Sequence, residues 1–330
     1  MYSRFFLIGS ILLFIGCSSR QYYTPKNIAS SVSPLNSEEI AYFNRAGATL
    51  DSGQVLVRNG ALKLKLKKGY KFINGSSNGI IISNKDGKCT VLRNGKTQAI
   101  ELPKEVVAGS IFGDKLVYVL RDNNYGIYDL AQNSIIFNDN SQRALNVDIR
   151  IENPIRVENL AVVPLLNGKI VVLDLNSHKV IKDILVSDDN ILNNIILLKQ
   201  VDNTLIAVTP HKIIAVSKNG RREFTKEISE VIVDNGSIFV FAKDGKIFRL
   251  DKNLTVQDEK KFRFAHFSVA TVYKDRVYAL DKQGYLIVSN KNFTKYKVYE
   301  VPEVDGFSFV SGRYIYYDGN KIDLDSLTYE

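Results

Sequence analysis

The residue types that carry metal, nucleophilic or acid–base chemistry are few and scattered along this sequence of 330 residues. Its three histidines lie far apart, at His178, His211 and His266. None of them has the ligand spacing of a metal site, and His211 stands where a surface turn is predicted. Cys89 lies among the apolar residues of a predicted strand, which favours a small buried side chain over a reactive thiol.

Three aspartates, Asp174, Asp251 and Asp325, end similar strand patterns. Their recurrence predicts that they cap the turns of a repeat and do not form a catalytic carboxylate pair. The sequence has no G-x-S-x-G, H-E-x-x-H or Walker-type loop, and it has no tryptophan that could lie under a quinone cofactor. A quinoprotein dehydrogenase is therefore disfavoured, and we predict a protein that is not an enzyme and holds no cofactor or metal.

The N-terminus combines a short basic start with an apolar run. Residues 5–15 read FFLIGSILLFI, which is too short for a membrane span of about 20 residues. The GCSS that follows resembles the bacterial lipoprotein box, in which a small residue precedes a lipidated cysteine. The resemblance implies that residues 1–16 are a signal peptide, that cleavage falls between Gly16 and Cys17, and that Cys17 carries the acyl chains. The alternatives are a plain cleaved signal and an uncleaved anchor.

Residues 17–37 are rich in Ser, Asn and Pro and lack a sustained apolar period. This composition predicts a lipidated N-terminus followed by a flexible tether. The formal net charge of the chain is +9, but its 44 basic residues are interspersed with 35 acidic ones, without a run of five like charges. The charge therefore indicates a solvated surface and not a nucleic-acid groove.

A β-type phrase recurs eight times after the tether. Each copy has an apolar run, a polar turn and an alternating apolar strand, as in FAKDGKIFRLD (241–251). The turns fall at Gly60, Gly87, Gly126, Gly168, His211, Gly245, Gly284 and Gly319. The first gap is 27 residues and the others run from 34 to 43. Because Asp-Gly and Asn-Gly supply the positive φ of a tight turn, each copy is predicted to be a β-hairpin.

Four short strands in about 40 residues is the spacing of a propeller blade. A two-sheet sandwich would not recur at a near-constant period, and helical repeats would not alternate at period two. We therefore predict an all-β fold, with one β-propeller domain of four-stranded blades over residues 38–330. Pairing of the N- and C-terminal segments is expected to close the ring and cover its edge strands. Eight blades are favoured, and seven blades with a closing strand are the alternative.

The phrases at 166–181 and 241–256 resemble quinoprotein-type (PQQ-like) repeats, whose pattern is an apolar strand, D-G, a second apolar strand and a polar turn. Such repeats usually dock a tryptophan between blades. In this chain smaller groups are expected to make those contacts, at Ile100, Phe137, Ile181, Phe224, Val256, Tyr299 and Tyr329.

An exported lipoprotein made almost wholly of these repeats resembles the BamB family, the accessory lipoproteins of the outer-membrane β-barrel assembly machinery. The resemblance implies a scaffold anchored by lipid in the outer membrane of a Gram-negative bacterium and facing the periplasm. It implies envelope proteins as partners, among them subunits of that machinery, and an accessory role in barrel assembly. Two alternatives stay open: a module of another envelope assembly, concerned with peptidoglycan, secretion or a surface appendage, and a propeller that binds a small ligand in its channel.

Overall fold

The computed structural model describes residues 21–189 and 191–330, which form eight four-stranded antiparallel blades arranged in a ring. Blade 1 contains β3 (Ile40–Phe43), β4 (Gly47–Leu50), β5 (Gln54–Val57) and β6 (Gly60–Lys65). Blade 2 contains β7 (Tyr70–Ser76), β8 (Gly79–Asn84), β9 (Lys88–Arg93) and β10 (Lys96–Glu101). Blade 3 contains β11 (Val106–Phe112), β12 (Lys115–Leu120), β13 (Tyr125–Asp129) and β14 (Ser134–Asp139). Blade 4 contains β15 (Ile155–Val157), β16 (Leu160–Pro164), β17 (Lys169–Asp174) and β18 (Lys179–Leu185).

The second half of the ring repeats this order. Blade 5 contains β19 (Leu197–Val201), β20 (Thr204–Val208), β21 (Lys212–Ser217) and β22 (Gly220–Thr225). Blade 6 contains β23 (Ile228–Asp234), β24 (Ser237–Ala242), β25 (Lys246–Leu250) and β26 (Val256–Lys261). Blade 7 contains β27 (Phe267–Tyr273), β28 (Arg276–Asp281), β29 (Tyr285–Asn290) and β30 (Tyr296–Glu300). Blade 8 contains β31 (Ser308–Ser311), β32 (Tyr314–Tyr317) and β33 (Asn320–Asp323), followed by one 3-10 turn at Leu324–Ser326.

Two short strands from the N-terminal segment complete the ring. β2 (Leu35–Asn36) pairs antiparallel with β33 and supplies the outer strand of blade 8. β1 (Ser30–Ser31) pairs parallel with β30 and adds a fifth strand to blade 7. The predicted propeller, the favoured count of eight blades and the closure by N- and C-terminal segments are therefore confirmed.

The same segment corrects the prediction of a flexible tether over residues 17–37. Tyr23 is buried between blades 6 and 7, with its ring centroid 6.1 Å from that of Phe262 and 5.6 Å from that of Tyr285. The backbone N–H groups of Ala29 and Val32 each donate to a carbonyl of blade 7 at 2.8 Å. From Tyr23 onward the segment is held at these points against the ring. Gly16 and Cys17 lie outside the described residues.

The apolar core lies between blades. Eight clusters of buried side chains can be distinguished in the described part of the chain, and each joins two neighbouring blades. The cluster of Ile40, Leu56 and Phe309 connects blade 8 to blade 1, so the core is continuous around the ring. Since one four-stranded sheet cannot cover both of its own faces, this stacking is what stabilises each blade.

The turn glycine of the repeat has a packing role as well as a conformational one. Gly245 has φ +79, and its carbonyl accepts the backbone N–H of Phe262, which follows the outer strand of the same blade. A Cβ on Gly245 would lie 2.1 Å from the Phe262 carbonyl oxygen. The same contact recurs in four other blades, between Gly53 and Leu66, Gly87 and Leu102, Gly168 and Ser187, and Gly284 and Val301. The repeated glycine therefore lets the chain cross from one blade to the next directly over the turn.

Two of the predicted hairpins need correction. The copy at 54–66 contains β5 and β6, the third and fourth strands of blade 1, whereas the copy at 79–92 contains the second and third strands of blade 2. This shift of one strand explains the short first gap, because Gly53 and not Gly60 is the counterpart of Gly87. In blade 3, Gly126 lies inside β13 opposite Tyr118, and Asn123, at φ 70, takes the turn.

The residues expected to replace the docking tryptophans divide into two groups. Five of them are buried or pack partly buried against the clusters between blades: Ile100, Phe137, Phe224, Tyr299 and Tyr329. Ile181 and Val256 are instead exposed at 58% and 44%, so the prediction is wrong for these two.

Candidate functional site

The candidate residues from the sequence are dispersed over the ring. The carboxylates of Asp174 and Asp251 each accept backbone N–H groups within their own turns, which confirms them as turn caps. In blade 8 this role belongs to Asp323, and Asp325 instead forms an ion pair with Lys274. Cys89 is buried, and burial raises the pKa of its thiol to about 12. Within residues 21–189 and 191–330, no group of three His, Cys, Asp or Glu side chains comes together as a metal site.

The charged groups that do converge lie in the central channel. The connection between β14 and β15 lacks regular strand pairing. Residues 148–153 of it, here named the channel plug, lie in the channel, since they contact blades 1, 3 and 6. Asn194 brackets the start of the plug, since its Oδ1 accepts the Asp148 N–H at 2.6 Å and its Nδ2 donates to the Asp148 carbonyl at 3.1 Å. Asn153 at the other end accepts the Gly109 N–H at 2.9 Å. The plug thus contacts blade 3 and the segment that leads into blade 5.

Two ion pairs bind the plug and the surrounding blades together. Arg45, in the turn of blade 1, pairs with Glu230 of blade 6 and also donates to the Val231 carbonyl. Arg150 forms a two-point pair with Asp148, with Nε to Oδ1 at 2.9 Å, and also donates to the Ser229 carbonyl. Because blades 1 and 6 are not neighbours in the ring, the first pair crosses the channel. The Arg150 contact fixes the plug against blade 6, and the Arg45 contacts join blades 1 and 6 beside it.

The pKa values reflect this arrangement. Burial on its own would raise the pKa of Glu230, but Arg45, Arg150 and Arg58 outweigh burial and hold that pKa below its ordinary value. In the same way, Arg150 outweighs the burial of Asp148 and keeps the pKa of that carboxyl low. Both carboxylates are therefore ionised at neutral pH. Each is the charged partner that its arginine needs in a buried setting.

A cavity of about 1150 Å³ lies beside the plug, at the end of the channel where β7, β23, β27 and β31 finish. We name it the channel mouth. Its wall combines aliphatic side chains with amides from asparagine and glutamine, hydroxyl groups and one tyrosine. Among the described residues, its charged side chains are Arg45, Arg58, Glu152, Arg156, Lys199 and Asp234. Four of these are basic and two acidic, so the cavity has a positive balance.

Sequence reasoning missed all of the channel residues. Arg45, Arg58 and Glu230 are single charges in or beside apolar strands, where an exposed position is the ordinary expectation. The one available signal was that residues 140–154 break the strand period for longer than a turn requires.

A second feature lies on the rim of the ring. Six of the twelve most exposed large apolar side chains in the described part fall between residues 135 and 191: Ile135, Leu145, Val180, Ile181, Leu185 and Ile191. Three of them, Val180, Ile181 and Leu185, lie on β18, the outer strand of blade 4. We name this strand edge, with those three side chains, the blade 4 rim.

Fold and surface together define an eight-bladed β-propeller with an apolar rim and a charged, plugged channel. Among solved structures, BamB from Moraxella catarrhalis is similar, with a TM-score of 0.63 and 16% identity over 88% of this chain and 98% of that chain. The C-terminal WD40 domain of Sif2 is also similar, with a TM-score of 0.64 and 9% identity over 89% and 97% of the two chains. The resemblance to BamB is thus confirmed for the fold.

Among curated proteins, the chain is similar to the plasminogen-binding protein PgbB of Helicobacter pylori strain J99. The two are 27% identical over 97% of this chain and 69% of the relative's length. PgbB of strain 26695 is 26% identical over the same shares. No protein-family model matches the sequence. In the described part of the chain, no helix has the length and apolar character of a membrane span.

Proposed function

We propose that the protein is a non-enzymatic scaffold of the bacterial envelope, anchored by lipid at Cys17, that binds other envelope proteins through the blade 4 rim. In its specific form the proposal is that it assists the assembly of outer-membrane β-barrel proteins from the periplasmic side. The observation that carries it is the exposed apolar strand edge of blade 4. The similarity to BamB in fold supports the class, and the name of PgbB shows that a relative in sequence binds a protein.

The blade 4 rim differs from the outer strands of blades 5 and 6. β22 reads GRREFT and β26 reads VQDEKK, and both keep mainly charged or polar side chains in solvent. Such charges are a common protection of strand edges against unwanted pairing. β18 reads KVIKDIL, and Ile181 on it is 58% exposed. An apolar edge of this kind fits an extended segment of a partner, which would add as a further strand.

The molecule itself contains an example of such strand addition. β1 lies along the outer edge of blade 7 with Ser30 opposite Tyr299 and Ser31 opposite Glu300. In blade 4 the corresponding edge carries no strand in the described part of the chain, although Arg221 donates to the Leu185 carbonyl at 2.6 Å. Blade 4 therefore offers a partner the same type of edge that β1 occupies on blade 7.

A charge placed on this rim is expected to abolish partner binding. Ile181→Lys puts an ammonium group into the apolar contact, and the amount of cross-linked partner recovered from envelopes should fall roughly tenfold or more. Val256→Lys is the matched control, because Val256 is a similarly exposed apolar residue on the outer strand of blade 6. Recovery with Val256→Lys should equal that of the wild type. Equal recovery with both variants would remove the rim from the proposal.

The lipid anchor has its own test. Cys17→Ser removes the sulfur that takes the diacylglyceryl group, so the variant should leave the membrane fraction. The mass of the wild-type protein from membranes should correspond to a chain that starts at Cys17 and carries acyl groups. A wild-type mass with an unmodified cysteine contradicts the anchor and, with it, the location in the outer membrane.

Recovery of barrel-assembly subunits with the wild-type protein, together with lowered porin levels in a deletion strain, would support the specific role. Unchanged porin levels and recovery of another envelope assembly would favour the broader function. The sequence similarity to PgbB over 97% of this chain favours a second candidate, the binding of plasminogen. Binding of purified plasminogen to the immobilised wild-type protein would support it, and absence of binding would exclude it.

A further inference from the structure

Arg58, like Arg156 and Lys199, is a basic side chain of the channel mouth that forms no ion pair within the described part of the chain. It follows β5 in blade 1 and lines the channel mouth. No carboxylate of the described residues lies within 4.0 Å of its guanidinium, and residues 1–20 and 190 contain no acidic residue. Its one aromatic neighbour among the described residues is Phe309, whose ring centroid lies 5.6 Å from the Arg58 Cζ. The side chain therefore retains its donors for a ligand.

The setting of Arg58 is unfavourable without an anion. Burial and the repulsion of Arg45 lower the pKa of Arg58 to about 10. Glu230 and Glu152 both lie close enough to raise the pKa of Arg58, but Glu230 is already paired with Arg45 and neither carboxylate lies within 4.0 Å of the Arg58 guanidinium. Since proteins seldom keep an unpaired cation in a partly buried place, this arginine is better explained by a ligand than by the fold.

The rest of the channel mouth indicates what kind of anion would fit. Arg58 can hold a carboxylate or a phosphate through two parallel hydrogen bonds. Glu152 lines the same cavity, and burial raises the pKa of its carboxyl; in its ionised form it repels a dianion more strongly than a monoanion. Part of the surrounding wall is aliphatic, as at Val57, Leu62 and Ile80. This combination favours a single carboxylate attached to an apolar body over a phosphate.

We propose that the channel mouth binds a small organic carboxylate, with Arg58 holding the carboxylate group and the aliphatic wall covering the apolar part. The cavity volume of about 1150 Å³ is large enough for a ligand of this class. The site is separate from the blade 4 rim and does not depend on the scaffold function proposed above.

The test uses N-acetyl-phenylalanine as the probe and the whole mature protein in calorimetry. We expect the wild type to bind the probe with a dissociation constant of about 1 mM. N-acetyl-phenylalaninamide, which has the same apolar body without the charge, and inorganic phosphate should each bind roughly tenfold more weakly. Tighter binding of phosphate would overturn the assignment to a carboxylate.

Arg58→Gln should weaken binding of N-acetyl-phenylalanine roughly tenfold or more, and Arg58→Lys should give an intermediate value because it keeps the charge but loses the two-point geometry. Arg222→Gln is the control, since Arg222 is an exposed arginine on the outer strand of blade 5 and its loss changes the net charge equally. It should bind as the wild type does. The midpoint of thermal unfolding of Arg58→Gln should equal or exceed that of the wild type, which separates a ligand role from a structural one. The proposal is overturned if the wild type does not bind the probe, or if Arg58→Gln binds it unchanged.

Discussion

Glu230→Gln is expected to lower the free energy of unfolding by about 3–5 kcal/mol at neutral pH. The substitution removes the carboxylate that pairs with Arg45 across the channel and leaves that guanidinium buried without its counter-charge. Arg150 and Arg58 lose the same favourable field. Removing one partner of a buried pair costs far more than the pair itself contributes, because the remaining charge has lost both water and its partner. Urea unfolding followed by circular dichroism measures the difference.

The effect should depend on pH with a defined sign. The pKa of Glu230 in the folded protein is below its ordinary value of 4.5. Its stabilising contribution is therefore complete above that ordinary value and is lost as the pH falls through the lower folded pKa. The free energies of unfolding of the wild type and of Glu230→Gln should differ most at neutral pH and become similar in acid.

Asp114→Asn is the control for this experiment. Asp114 pairs with Arg93 at 2.7 Å on the exposed surface, with its side chain 59% accessible. Exposed pairs of this kind contribute about 0–1 kcal/mol, so the control should unfold almost as the wild type does. If Glu230→Gln lost no more stability than Asp114→Asn, the ion pair across the channel would not stabilise the ring.

Gly245→Ala is expected to lower the free energy of unfolding by about 3 kcal/mol, which is the second large effect. Part of the cost is the left-handed backbone, since φ at Gly245 is +79. The greater part is displacement of the chain above it, because the new Cβ would lie 2.1 Å from the Phe262 carbonyl oxygen. Thermal unfolding of the variant should show a lowered midpoint.

Gly236→Ala separates the two contributions within the same blade. Gly236 also has a positive φ, +77, but a Cβ there would have no atom within 4 Å. Its substitution should cost about 1 kcal/mol, which is the conformational part alone. Equal losses at both positions would contradict the packing role of the repeated glycine.

The ring could be predicted from sequence because its determinants are local. Alternation of apolar residues and the Asp-Gly turns are properties of each hairpin, and their repetition implies blades. The phase of the first copy was wrong because Asn59-Gly60 is a turn signal equal to the Asp-Gly of later copies. A turn between the second and third strands of a blade differs from other turns in having a later segment of the chain packed over its glycine, as Phe262 packs over Gly245. That segment lies outside the hairpin, so the hairpin sequence alone does not reveal it.

The channel contacts and the residues that make the predicted N-terminal pairing could not be identified from the sequence, for related reasons. The plug is held by contacts such as Arg150 to the Ser229 carbonyl, which join parts of the chain 79 positions apart and have no periodic pattern. β1 and β2 consist of two residues each, and their pairing uses backbone groups that are the same in every residue. A Ser- and Pro-rich composition therefore looks like a tether even where the backbone is bound.

The attachment of β1 limits how the disc can be oriented at a bilayer. Tyr23 is fixed between blades 6 and 7, and only five residues separate it from Cys17, a reach of about 20 Å even when fully extended. With the lipid proposed for Cys17, this short connection would keep the outer edge of blades 6 and 7 close to the lipid headgroups. In the eight-membered ring, blade 4 lies two positions from blade 6 and three positions from blade 7, which is more than a quarter of the ring from the anchored perimeter. The apolar edge at β18 would then stand clear of the lipid surface and face molecules that arrive from the aqueous compartment.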